Sequence, residues 1–186
     1  HMRIQKNLRT DQETILRFLN VLGTASTILT NNKYARPSFF LLADEFNQGY
    51  VESYFYKKEE VLIQTLADGG FPPDEGPIHA IRSDQQKSRE AAATMVQAAK
   101  HWESGDEDAR AEVGWATSTY TSSVRQHLER LKGLIFPLLE QTISIDEEHK
   151  VSDAINDLPF DAEFQNGAEK YIRIIEKLED ILGDWQ

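Results

Sequence analysis

Residues 53–85 read SYFYKKEEVLIQTLADGGFPPDEGPIHAIRSDQ, and their pattern decides the fold. Tyr54, Lys58, Val61 and Thr65 recur at steps of four, three and four residues, so they share one helical face. Phe46 and Tyr50 extend that face upstream, which predicts a helix over about 38–68. Gly69-Gly70 ends it, and GFPPDEGP reads as an irregular connection. Pro77 suits the opening turn of the next helix, where its missing N–H is not needed. Ile78, Ile81, Ala92, Met95 and Trp102 mark the buried side of that helix, predicted over about 77–103.

Outward from this pair the signal stays helical. Leu8, Ile15, Leu19 and Leu22 predict a first helix over about 9–28, and Asn31-Asn32 with Arg36-Pro37 predict a loop. Tyr120, Val124, Leu128, Leu131, Ile135 and Leu138 predict a fourth helix over about 108–142, kinked at Pro137. Residues 144–160 are polar and mixed, and Asp146-Glu147-Glu148-His149 reads as a solvated loop or helix end. A fifth helix is predicted over about 162–182, with Phe164, Tyr171, Ile174, Ile175, Leu178 and Ile181 apolar. No stretch alternates like a strand. The expected fold is all-α: an up-down-up-down four-helix bundle with an additional C-terminal helix, in one domain spanning 1–186.

Composition narrows the function classes. The 186 residues carry 20 basic and 31 acidic side chains, a net charge of −11, which disfavours nucleic acid and anionic membranes as partners. Cysteine is absent, which removes disulfides, thiolate metal sites and cysteine nucleophiles. No segment approaches the apolar length of a membrane span. His1 reads as an addition before a start at Met2, and HMRIQKNLRT lacks the apolar centre of a secretory signal. A cytoplasmic monomer or homodimer is expected.

Polar residues on the apolar stripes point to a site. Gln12 lies four after Leu8 and three before Ile15; Lys58 lies four after Tyr54; Gln85 lies four after Ile81; His127 lies three after Val124. Each helix of the bundle thereby offers one polar group to the interior, as bundle sites are commonly built.

The quoted stretch resembles the second and third helices of hemerythrin-like, HHE cation-binding domains, with GFPP at 70–73 and GPI at 76–78 matching without a gap. HLERLKGLIFPLL at 127–139 resembles the fourth helix, LRTDQETILRFLNVL at 8–22 the first, and FQNGAEKYIRIIEKL the closing helix. The resemblance implies a hemerythrin-type bundle whose six histidine and glutamate ligands hold two irons. At the matching positions this chain has Gln12, Tyr54, Lys58, Gln85, His127 and Leu131, so only His127 remains a plausible ligand. The resemblance therefore implies a degenerate metal site, with no metal and no cofactor.

The expected result is a polar pocket at the former metal site, binding or transforming a small molecule without a metal. Lys58, His127 and Tyr54 are the catalytic candidates, for lyase, isomerase or hydrolase chemistry. A lysine in an apolar bundle is a better base or amine nucleophile, and a histidine titrating near neutral pH can exchange protons. Gln12, Gln85, Tyr50 and Leu131 are candidate ligand-binding residues. Two alternatives stand beside this: a non-catalytic degenerate scaffold or sensory, partner-binding module, and an atypical mononuclear cation protein using His127 with Glu59 or Glu60. The latter requires a bulge in the second helix to turn one of those carboxylates inward.

Overall fold

A computed structural model describes residues 2–160 and 168–186. Among these residues it has helices and no strand. Helix α1 (Arg3–Ile28) is the first arm of the bundle. It begins earlier than the apolar pattern predicts because Ile4 is fully buried and its N–H donates to the Glu148 carboxylate at 2.8 Å. That bond satisfies one of the free amides at the helix start.

The second arm is continuous but not uniform. Helix α2 (Pro37–Phe46) passes into a π-helical segment, π1 (Asn47–Phe55), and then into α3 (Tyr56–Asp68). A π segment uses more residues per turn than an α-helix, so it rotates everything downstream relative to an unbroken α pattern. Lys58 and Glu59 are adjacent in sequence, and both end up buried.

The third arm is α4 (Gly76–Glu103), with Pro77 in its first turn as expected. The fourth is α5 (Ala109–Arg130), a second π segment π2 (Leu131–Ile135), and α6 (Phe136–Thr142). Pro137 stands in the first turn of α6, directly after π2, where the irregular turn accommodates its missing N–H.

Two helices dress the bundle. Helix α7 (Ile145–Asn156) occupies the stretch expected to be loop. Its start is a capping box: the Glu147 N–H donates to the Ser144 hydroxyl at 3.1 Å, and the Ser144 N–H to the Glu147 carboxylate at 3.3 Å. The acidic run therefore forms the first turn of a helix, with Glu148 buried rather than solvated. Helix α8 (Glu169–Trp185) is the predicted fifth helix, shifted toward the C-terminus. The part predicted over 162–167, including Phe164, lies outside the described residues.

Helix α7 packs on α1 and α3, and α8 packs on α1 and α2. Aromatic rings fill the junction: Phe18 meets Phe46 at 4.2 Å, Phe46 stacks on Tyr50 at 5.0 Å, and Trp185 closes on Phe39 at 4.8 Å. Each such buried ring stabilises the fold by roughly 1.5–3 kcal/mol. Among the described residues no helix is long and apolar enough to cross a membrane.

Candidate functional site

Polar side chains from all four arms meet in the bundle interior as two arrays. The first centres on Lys58 of α3. Its ammonium donates to Asp11 Oδ2 at 2.6 Å and to the Tyr54 hydroxyl at 2.7 Å, and lies 4.1 Å from the centre of the Tyr54 ring. Tyr50 donates its hydroxyl to the other Asp11 oxygen at 3.2 Å. Burial pushes the Asp11 carboxyl above its ordinary range, while the neighbouring ammonium pulls it back down in part. Burial likewise raises the Tyr54 hydroxyl, and the Asp11 charge adds to the effect.

The second array centres on His127 of α5, which has 0% exposure. Its Nε2 bonds the Glu59 carboxylate, and its Nδ1 bonds Asp84 Oδ2 at 2.9 Å. Arg130, one turn on, donates from Nε to the same Asp84 oxygen at 2.8 Å. Gln85 donates its amide to Glu59 at 2.7 Å, and the Tyr56 ring stands edge-on to the imidazole at 5.8 Å. Burial alone would lower the His127 pKa, but the Glu59 and Asp84 carboxylates outweigh it and push it up to about 9. The imidazole is thus an imidazolium at neutral pH. Asp84 is partly desolvated, yet His127 and Arg130 hold its carboxyl below the ordinary range.

Together the arrays set three carboxylates (Asp11, Glu59, Asp84) against three cations (Lys58, His127, Arg130). Breaking one partner of such a pair leaves an uncompensated charge in a low-dielectric interior. Their charges cancel within the site.

Lys58 and Tyr54 also line a cavity of about 390 Å³, completed by Ile155, Asn156, Leu158, Pro159 and Phe160. The Tyr54 and Phe160 rings lie 4.7 Å apart along it. His127 is not among the lining residues.

The seven residues singled out in the sequence separate accordingly. Lys58, Tyr54 and Tyr50 belong to the first array, and His127 and Gln85 to the second. Leu131 is fully buried at the start of π2 and lines no part of the cavity. Gln12 is only half-buried, with a covered amide nitrogen that has no partner among the described residues. The inward residue of α1 is Asp11. Position 11 lies three after Leu8 and four before Ile15, so those two residues alone fit 11 and 12 equally. The buried Ile4 and Phe18 break the tie, since 4, 8, 11, 15, 18 and 22 form one stripe. Glu59 is turned inward downstream of π1, as the bulged alternative required. Asp84 and Arg130 were missed, although they lie one residue before Gln85 and three after His127.

A family model described as the hemerythrin HHE cation binding domain matches residues 3–139. The chain belongs to the hemerythrin HHE family. That match runs from α1 into α6, and α7 and α8 follow it. No curated protein and no solved structure matches the chain. Among the described residues of this hemerythrin-family bundle, no group of three or more His, Cys, Asp or Glu is placed to hold a metal ion. His127 shows why: its two carboxylate partners sit on different ring nitrogens and do not converge on one point.

Proposed function

We propose that this hemerythrin-family bundle binds a small molecule without a metal, in the cavity that Lys58 and Tyr54 share with the end of α7 and the residues after it. The supporting observation is the ion pair of Lys58 with Asp11 at 2.6 Å beside a cavity of about 390 Å³. A di-iron centre does not fit this donor set. Glutamine, tyrosine, lysine and leucine stand at five of the six matching ligand positions, and the Lys58 ammonium already pairs with the Asp11 carboxylate. A mononuclear ion on His127 and Glu59 would lack a third converging ligand, since Asp84 bonds the opposite ring nitrogen.

Lys58 and Tyr54 are the groups a ligand can touch. The Lys58 ammonium, held 2.7 Å from the Tyr54 hydroxyl, can donate to an acceptor atom or exchange a proton with it. His127 takes a positioning role: it holds Glu59 and Asp84, which tie α3 to α4 and α5 beneath the cavity residues. It does not line the cavity, so proton transfer to the ligand is assigned to Lys58 rather than to His127.

Elemental analysis and divalent-cation titration of the purified protein test the metal-free reading. Substoichiometric iron, manganese and zinc, with no saturable uptake, are expected; one tightly held ion per chain would overturn it.

A further inference from the structure

Helix α7 carries a second cavity at its opposite end. The first turn of α7 and the residues just before it close on Met2 and Glu140 around a space of about 250 Å³. All of its lining residues are described, and it shares none with the cavity at Lys58. Its wall is more apolar than polar, with Met2, Ile143 and Ile145 as the apolar side chains. Ile145 is 75% exposed, an aliphatic surface that the fold leaves uncovered. Glu148 and His149 complete the lining.

Glu148 differs from the other interior acids. The acidic side chains buried among the described residues are Asp11, Glu59, Asp84 and Glu148. The first three each bond a lysine, histidine or arginine side chain. Glu148 has no such partner among the described residues. Its Oε2 accepts from the Ile4 N–H at 2.8 Å, and no hydrogen bond to Oε1 appears among the described residues. The amides at the start of α1 offset part of its charge. A carboxylate still accepts further donors, and buried carboxylates are ordinarily found paired.

We propose that this cavity binds a small primary alkylamine as its ammonium ion. One N–H donates to Glu148 Oε1 in a charge-assisted hydrogen bond, and the carbon chain covers Met2, Ile143 and Ile145. Glu140 adds a second negative charge at the exposed rim. The chain's net charge of −11 draws cations toward the entrance. Other cations fit less well. An inorganic ion lacks ligands, since no three His, Cys, Asp or Glu side chains are placed to hold one among the described residues. A guanidinium grips a carboxylate through both oxygens, and the Ile4 N–H already holds one of Glu148's.

n-Butylamine and n-butanol, equal in length and differing in charge, are the probes. Each is titrated into the full chain at neutral pH, with affinity read from NMR shifts and location from intermolecular NOEs. Butylammonium is expected to bind at least about tenfold tighter than butanol, with NOEs to the Met2, Ile143 and Ile145 methyl groups. Glu148→Gln keeps an acceptor for the Ile4 N–H but removes the charge, so amine affinity should fall to that of butanol. Butanol binding within that factor of the amine in the wild-type protein overturns the ammonium assignment. Saturable amine binding without NOEs to these methyl groups, or binding that Glu148→Gln leaves intact, overturns the location. No saturable amine binding overturns the site altogether. The wild-type outcomes hold whether or not the Glu148 variant folds, and none of them bears on the Lys58 cavity.

Discussion

His127 carries the sharpest consequence of the interior charges. Its pKa is raised in the folded state to about 9 from an ordinary 6.5. A raised base contributes stability that is fully present below the unfolded value and is lost as pH climbs through the folded one. At 1.36 kcal/mol per unit the shift corresponds to about 3 kcal/mol. Urea unfolding midpoints should therefore fall between pH 6.5 and 9.5, and His127→Gln should flatten that fall; equal wild-type midpoints across this window would contradict an imidazolium core. At Lys58 the single change Lys58→Met should destabilise by about 3–5 kcal/mol, since it leaves Asp11 charged and unpaired. The double change with Asp11→Asn should recover part of that loss, a non-additivity a double-mutant cycle measures. Thr117 offers the opposite case. Its hydroxyl is buried and has no hydrogen-bond partner among the described residues, so Thr117→Val should leave stability unchanged or raise it by up to about 1 kcal/mol in thermal unfolding.

At the scale of elements, π1 decides what the second arm presents. An unbroken α-helix that points Lys58 inward turns Glu59 about 100° away; with the π segment upstream, both are buried and feed separate arrays. The apolar spacing of Tyr50, Tyr54, Lys58 and Val61 carries no sign of that change, because steps of three and four persist through it. Gly49 is the residue within π1 that shows a local reason for its identity. A methyl group there would fall far inside van der Waals contact with the Tyr171 ring of α8, so the segment and the terminal helix approach more closely than alanine permits. Gly49→Ala should loosen α8, raising solvent exposure of Trp185, now 5% exposed, as a red shift in its fluorescence. Helix α7 was legible in principle. Ser144 followed by Glu147 is a helix-start signature, and the polar surface of the following turns obscured it. The first-helix site residue was ambiguous for a different reason, since two adjacent positions satisfied the nearest apolar spacings.

For the whole molecule, the four arms, their order and their apolar stripes were legible because long amphipathic helices leave a periodic trace. The interior charge pattern was less so, because it depends on helix phase to within one residue and on π segments that periodicity does not reveal. Lys58 and His127 were identified from the sequence as inward polar groups; Asp11 and Asp84, which pair with them, emerged only with the packing. In the reading proposed above, the interior cations of this hemerythrin-family fold are supplied by the chain itself. Nitrogen-15 NMR of the His127 ring at pH 7.5, before and after addition of ferrous ion, tests this most directly. Two protonated ring nitrogens, unshifted by the metal, are predicted; a deprotonated nitrogen that shifts or broadens on adding iron would contradict it.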